Sequence, residues 1–107
     1  MNVLFVCTAG MQRSPTGAEL FARKGYDTKY AGMLARDEAE LTADKLRWAD
    51  HVVVMESRHR RFIKQNFPKL YDSTPVTTLN IPDIYVKNDP ELVQMIEEKM
   101  EGILRDS

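Results

Sequence analysis

The sequence is short of the residues on which cross-linked and metal-binding domains are built. Its 107 residues include one cysteine and two histidines. These numbers exclude an internal disulfide framework, a CxxC metal site and a thiol–imidazole zinc cluster. A net charge of −1 provides no overall field that would attract nucleic acid or a membrane surface. We therefore expect no metal, no cofactor, no nucleic-acid partner and no membrane partner.

Long hydrophobic runs are missing as well. The apolar stretch 3–6 is too short for the core of a signal peptide and has no basic residue before it. No run approaches the length of a membrane helix. With 43% hydrophobic and 29% charged residues, the composition is that of a soluble globular protein. We expect one cytoplasmic domain spanning residues 1–107, and the sequence does not predict its oligomeric state.

The apolar pattern alternates between short strands and amphipathic helices. Strands are predicted at 2–7, 27–32, 51–56 and 75–80, and helices at 15–24, 43–49, 57–67 and 90–103. Ser14 and Asp89 each precede a proline, so both are predicted to cap helices. The order predicts an α/β fold, a three-layer α/β/α arrangement around a four-stranded parallel sheet.

Three segments that follow strands should meet at one edge of this sheet. They are the loop 8–13 between the first strand and the first helix, the segment after Glu56, and the loop 80–90. In open parallel sheets, ligands bind at the carboxyl ends of the strands. This edge is therefore the predicted position of a functional site.

The lone cysteine lies in the stretch VCTAGMQRSPTG, residues 6–17. Small residues at 8–10 allow successive backbone N–H groups to surround an anion, and the following helix start adds a positive field. The same surroundings favour a thiolate at Cys7. Arg13 has the planar fork that binds two phosphoryl oxygens, and the Ser14 hydroxyl could donate to the sulfur. A buried strand-end thiol without function is the plainer alternative, but the strand before and the helix after favour a nucleophile.

These residues resemble the phosphate loop of the low-molecular-weight protein tyrosine phosphatases, whose pattern is V-C-x5-R-S-P. Three further stretches agree in order with that family. They are Tyr30–Gly32 with its Ser-Ala-Gly, residues 41–56 with its Leu-Thr helix and apolar strand, and residues 81–92 with its Asp-Pro-Tyr loop. The resemblance covers nearly the whole chain.

The resemblance implies a cysteine-dependent phosphomonoester hydrolase acting on a phosphotyrosine protein or peptide, or on a small aryl phosphoester. Cys7 would be the nucleophile that forms a phosphocysteine, and Asp83 the general acid and base. Tyr85 would line the substrate pocket. The phosphoryl group would be bound by Thr8, Ala9, Gly10, Met11, Gln12, Arg13 and Ser14, with Arg13 also stabilising the transition state.

The chain departs from the family pattern at several positions. Gly10 replaces an asparagine that helps hold the loop, Tyr30 replaces the serine of Ser-Ala-Gly, and Ile84 replaces the proline of Asp-Pro-Tyr. The chain is also shorter after Gly32, where relatives have a wall of the pocket. These changes put loop rigidity and substrate selectivity in question, and we expect a shallower, more open pocket.

Other functions remain possible on the sequence alone. CTAGM also resembles the cellobiose-type IIB phosphocarriers of the sugar phosphotransferase system, which are phosphorylated on cysteine, although Arg13 and Asp83 speak against a carrier. An arsenate reductase that forms an internal disulfide would need further cysteines. A phosphate-binding module without turnover is the non-enzymatic alternative.

A basic stretch, SRHRR at 57–61, follows the third strand. It is either a solvated helix face or a surface that attracts an acidic phosphopeptide. Cations at a helix start oppose the helix dipole, which favours a role beyond helix formation. His59, within this stretch, is predicted to lie on the surface.

Overall fold

Four parallel strands form the centre of the molecule. The computed structural model describes residues 1–104, with strands β1 (Asn2–Cys7), β2 (Asp27–Gly32), β3 (His51–Val54) and β4 (Val76–Thr78) in the order β2-β1-β3-β4. The helices are α1 (Arg13–Arg23), α2 (Ala43–Trp48), α3 (Ser57–Asn66), α4 (Pro68–Ser73) and α5 (Pro90–Met100). The predicted four-stranded parallel sheet is confirmed. Within residues 1–104, no helix combines the length and the apolar character that a membrane crossing requires.

The central strand β1 is buried on both faces from Val3 to Cys7, as its continuous apolar run predicts. Val3 and Phe5 point into a core formed with α1 and α5, while Leu4 and Val6 point into a second core formed with the other helices. This alternation follows from the two-residue period of a strand. The result is the predicted three-layer arrangement, with the cysteine at the carboxyl end of a fully buried central strand.

Three elements end earlier than predicted, since β3 ends at Val54, β4 at Thr78 and α5 at Met100. Two further differences concern helix starts. Pro68 does not only end α3; it occupies the first position of an additional helix, α4, where its missing N–H costs nothing. Ser14 does not cap α1, which begins one residue earlier at Arg13 and has no side-chain cap. Asp89 does cap α5 as predicted, because its carboxylate accepts a hydrogen bond from the Glu91 N–H at 2.9 Å.

The loop after β1, residues 8–12, is named here the cysteine loop, and its backbone is supported by the chain that follows β2. The Met33 N–H donates to the Cys7 carbonyl and the Leu34 N–H to the Thr8 carbonyl, both at 2.8 Å. A Cβ on Gly32 would lie 2.4 Å from the carbonyl carbon of Ala9. Glycine at position 32 therefore permits a backbone-to-backbone approach that no other residue allows.

Gly10, in the cysteine loop, lies on the other side of this backbone contact with Gly32. Its φ of +70° lies in the left-handed region, and a Cβ there would be 2.9 Å from the Gly32 nitrogen and 3.0 Å from the Ala39 Cβ. Asparagine, the family residue, tolerates this φ better than most residues do. The space is nevertheless already filled by backbone, so this chain holds its loop by close backbone contact.

Gly10→Asn should therefore weaken the protein although asparagine is the family residue. We expect a loss of about 1–3 kcal/mol in the free energy of unfolding, because the new side chain overpacks the contact with Gly32. Urea denaturation measures it. Gly25→Asn is the matched control, because Gly25 has a φ of +99° with open space around it. Equal losses for the two variants would contradict the steric explanation.

Candidate active site

The thiol of Cys7 lies at the carboxyl end of β1 with two hydrogen-bond donors beside it. The Gly10 N–H donates to Sγ at 3.2 Å, and the Ser14 Oγ lies 3.0 Å from Sγ. The Ser14 hydroxyl is also 3.3 Å from the Ala31 carbonyl, so its single proton has two acceptors within reach. A sulfur with a backbone N–H and a hydroxyl directed at it is suited to carry negative charge.

Arg13, the first residue of α1, is 1% exposed and is oriented by two acceptors. Its Nη1 donates to Glu56 Oε2 at 2.5 Å and to the Ile81 carbonyl at 2.7 Å. Glu56 follows β3, and Ile81 follows β4. Because Arg13 itself follows the loop after β1, its guanidinium connects the ends of three strands at one edge of the sheet. One nitrogen of the fork is thereby fully used.

The other edge of the guanidinium is open. Within residues 1–104, Arg13 Nε is buried and has no hydrogen-bond partner, and Nη2 makes only a 3.3 Å contact with Thr8 Oγ1. Nε and Nη2 share one edge of the planar group, which is the geometry that binds two oxygens of a phosphoryl group. A buried donor without an acceptor is costly, and an anion bound at this edge would supply one.

The structure brings the three predicted catalytic residues together. Asp83, on the loop after β4, places Oδ1 3.6 Å from the same Arg13 Nε, and its side chain is 52% exposed. Cys7, Arg13 and Asp83 therefore share the predicted edge of the sheet. Tyr85 is partly buried against the core of α1 and α5, to which Cys7 also belongs.

Glu56, directly after the Met55 that follows β3, had no predicted role. Its Oε2 accepts from Arg13 and, at 3.2 Å, from Arg58 Nη2. Burial acts to raise the pKa of Glu56, but the hydrogen bonds and positive charges of the two arginines hold it below its usual value. The only signal in the sequence is its place at a strand end. Glu56 remains ionised and balances the buried guanidinium.

The prediction that His59 lies on the surface is wrong, because this side chain is completely buried. Its Nδ1 accepts a hydrogen bond from the Glu56 N–H at 3.0 Å, so the proton of the neutral ring is on Nε2. Nε2 lies 3.0 Å from Thr8 Oγ1 and donates to it. Burial, together with the charges of Arg13 and Arg58, lowers the pKa of His59 to about 4.

Thr8, the residue after the cysteine, receives donors from three side chains. His59, Arg58 Nη2 at 2.8 Å and Arg13 Nη2 at 3.3 Å all contact its hydroxyl oxygen. The hydroxyl therefore connects the cysteine loop to the start of α3. This network, like the contacts of Glu56, joins residues that are distant in sequence. It supports the cysteine loop on the side opposite Gly32.

The surroundings of the site are open and partly apolar. A cavity of about 560 Å³ adjoins the cysteine loop and is lined by residues 8–11, Tyr30, residues 34–35 and 37–39 and others, but not by Cys7 or Asp83. The side chains of Met11, Leu34, Ile84 and Val86 are all more than half exposed. This agrees with the expected open pocket, whose walls are exposed side chains of short loops.

Comparison with known proteins gives consistent relatives. No family model matches the sequence. A protein-arginine-phosphatase from Geobacillus stearothermophilus is 31% identical, with 68% of this chain and 66% of the relative covered. The chain thus spans just under two thirds of the length of this curated relative.

Solved structures match over a larger part of the chain. The YwlE arginine phosphatase from G. stearothermophilus has a TM-score of 0.73 at 27% identity, covering 98% of this chain and 94% of its own. The low-molecular-weight protein tyrosine phosphatase from T. tengcongensis has a TM-score of 0.78 at 22% identity, covering 100% and 99%. The fold of these structures is the fold of this chain.

The buried neutral His59 should make stability depend on pH. Its pKa falls from 6.5 to about 4 on folding, so between these values the unfolded chain binds more protons than the folded protein. Stability therefore declines as the pH falls through this window, by an amount on the order of 3 kcal/mol in total. Urea denaturation at several pH values should give a steeper decline for the wild type than for His59→Gln.

His51→Gln is the control for this measurement. His51 is only partly buried, with its pKa also lowered by burial, and its replacement should remove a smaller part of the pH dependence. Parallel curves of unfolding free energy against pH for the wild type and His59→Gln would show that His59 is not the source of the pH dependence.

Proposed function

We propose that this chain, which belongs to the low-molecular-weight protein tyrosine phosphatase family, is a cysteine-dependent phosphatase. The observation that carries the proposal is the Nε–Nη2 edge of Arg13, where the buried Nε makes no hydrogen bond within residues 1–104 and lies 3.6 Å from the Asp83 carboxylate. This edge belongs to a site that also contains the Cys7 thiol and the Asp83 carboxyl. A phosphoryl group bound there has a nucleophile and an acid available.

The first step transfers the phosphoryl group to the enzyme. The Cys7 thiolate attacks phosphorus, a sulfur–phosphorus bond forms, and the bond from phosphorus to the leaving group breaks. The carboxyl proton of Asp83 passes to the leaving atom. Arg13 Nε and Nη2, with the backbone N–H groups of the cysteine loop, bind the oxygens on which charge is concentrated.

The second step releases phosphate. Asp83, now ionised, takes a proton from a water molecule that attacks phosphorus. The sulfur–phosphorus bond breaks, and the thiolate returns to the hydrogen bonds of the Gly10 N–H and the Ser14 hydroxyl. These donors stabilise the sulfur as a leaving group, which favours hydrolysis over storage of the phosphocysteine.

The substrate we favour is a phosphotyrosine protein or peptide. Met11 and Ile84 carry exposed apolar side chains on the two loops beside the thiol, at 65% and 74% exposure. An aromatic ring that enters between these loops would bury apolar surface on both sides. Small aryl phosphoesters would use the same contacts.

A second candidate substrate is protein phosphoarginine. It is favoured by one observation, namely that the curated relative at 31% identity is a protein-arginine-phosphatase. The nucleophile, the arginine and the acid would have the same roles, with nitrogen in place of oxygen as the protonated leaving atom. The two substrates differ in the shape and charge of the side chain that is bonded to phosphorus.

The chemistry is tested with chromogenic aryl phosphates in the presence of a chelator. Cys7→Ser should abolish turnover, and Asp83→Asn should lower kcat by about 10²–10⁴-fold for poor leaving groups, with a smaller loss for good ones. Asp89→Asn is the matched control, because Asp89 caps α5. Because asparagine caps helices about as well as aspartate does, this variant should keep wild-type turnover for good and poor leaving groups alike.

Two results would contradict the proposal. Wild-type turnover equal to that of Cys7→Ser would show that the chain is not a cysteine-dependent phosphatase. Phosphoryl transfer to Cys7 from a phosphocarrier donor, without release of phosphate, would identify a carrier instead. An unchanged leaving-group dependence in Asp83→Asn would assign the acid to another residue.

The substrate is tested with one peptide sequence prepared in two forms, with phosphotyrosine or phosphoarginine at the same position. We expect a higher kcat/KM for phosphotyrosine because of the apolar side chains of Met11 and Ile84. Met11→Ser should lower kcat/KM for the phosphotyrosine form several-fold, since burying an apolar side chain contributes about 1.5–3 kcal/mol at most. A preference of the wild type for phosphoarginine would assign this chain the substrate of its relative.

A further inference from the structure

The residues of the basic stretch after β3 differ in how much of their side chain is buried or hydrogen-bonded. His59 is buried, and Arg60 donates from Nε to Tyr71 Oη at 2.9 Å and from Nη1 to Thr78 Oγ1 at 3.1 Å. Arg58 is 43% exposed, and Arg61 is exposed, with no side-chain hydrogen bond or ion pair to any residue in 1–104. Two arginines of the stretch therefore retain exposed charge.

Arg58 and Arg61 line the same cleft. A cavity of about 410 Å³ is bordered by both arginines together with Glu56, Ser57 and residues 80–82. The two arginines are three positions apart on α3, which places them on one face of the helix. The cleft thus has a basic wall on the side of α3 and a wall formed by the loop that leads to Asp83.

The cleft is adjacent to the proposed site of phosphoryl transfer. Arg58 Nη2 contacts Thr8 in the cysteine loop, and the Ile81 carbonyl, on the opposite wall, binds Arg13. Residue 82 directly precedes the proposed acid, Asp83. A substrate chain with its phosphorylated side chain at Cys7 would therefore place neighbouring residues close to this cleft.

The charge of the cleft favours an anion. Its lining contains two arginines and one carboxylate, and that carboxylate, Glu56, already accepts from Arg13 and Arg58. Arg58 also lies in the first turn of α3, where the helix dipole disfavours cations. Formation of the helix therefore gives no reason for a positive charge at this position.

We infer that the cleft beside Arg58 and Arg61 is a subsite for an acidic side chain of the substrate, next in sequence to the phosphorylated residue. The inference rests on the proposed phosphatase function and adds a substrate class to it, namely phosphopeptides with neighbouring Asp or Glu. Arg61 binds the carboxylate at the solvent side, and Arg58 joins this subsite to the cysteine loop.

The test compares two phosphopeptides that differ only in residues flanking the phosphoresidue, Glu in one and Gln in the other. Both carry the phosphoresidue that the wild type hydrolyses. Wild type should favour the Glu peptide by about two- to fivefold in kcat/KM, mainly through KM, as expected for an exposed charge pair. Arg61→Gln should abolish this preference, and roughly 0.5 M salt should reduce it in the wild type.

Arg23→Gln is the matched control, because Arg23 is an exposed arginine at the distal end of α1 and its replacement should preserve the preference. Aryl phosphate hydrolysis, which needs no flanking residue, should stay within about twofold of wild type in both variants. Turnover of aryl phosphate by a wild type without preference for Glu would overturn the subsite alone. An equal loss for both peptides in Arg61→Gln would also overturn it. Absence of any turnover would overturn the proposed function itself.

Discussion

The site depends on the ion pair between Arg13 and Glu56. These residues are 43 positions apart in sequence, and their side-chain atoms lie 2.5 Å apart. A buried guanidinium without a counter-charge would be strongly destabilising, so Glu56 makes the buried position of Arg13 possible. The pair also decides which edge of the fork is used. Because Nη1 is occupied by Glu56 and the Ile81 carbonyl, Nε and Nη2 are the atoms left to face a ligand.

The remaining network follows from this pair. Two arginines lie next to one glutamate, and a third positive charge in the same place would be costly. A neutral histidine adds no such charge and still makes two hydrogen bonds. His59 accepts from the Glu56 backbone N–H through Nδ1 and donates to Thr8 through Nε2. The low pKa of His59 is thus a consequence of the charges required nearby. Through its two hydrogen bonds the histidine helps to position the cysteine loop.

Prediction from the sequence succeeds where local chemistry and topology are sufficient. Cys7 and Arg13 are separated by a short loop between a buried strand and a helix, and Asp83 follows another strand, so parallel topology places them together. Glu56 and His59 escaped prediction because their partners are distant in sequence. A histidine among four charged or polar neighbours has the pattern of an exposed residue, and only the buried arginine explains its burial. The additional helix α4 was missed because the proline that ends one helix also begins the next.

The rigidity of the cysteine loop and the openness of the substrate side have one common cause. The chain after Gly32 lies directly against the loop, so Gly10 and Gly32 meet backbone to backbone and replace a side-chain network with close packing. That same short segment leaves Met11 and Leu34 exposed. Two features are then available to discriminate between phosphorylated substrates. The exposed apolar side chains beside the thiol would contact the group that carries the phosphorus, and the subsite that we propose on α3 would contact neighbouring residues of the bound chain.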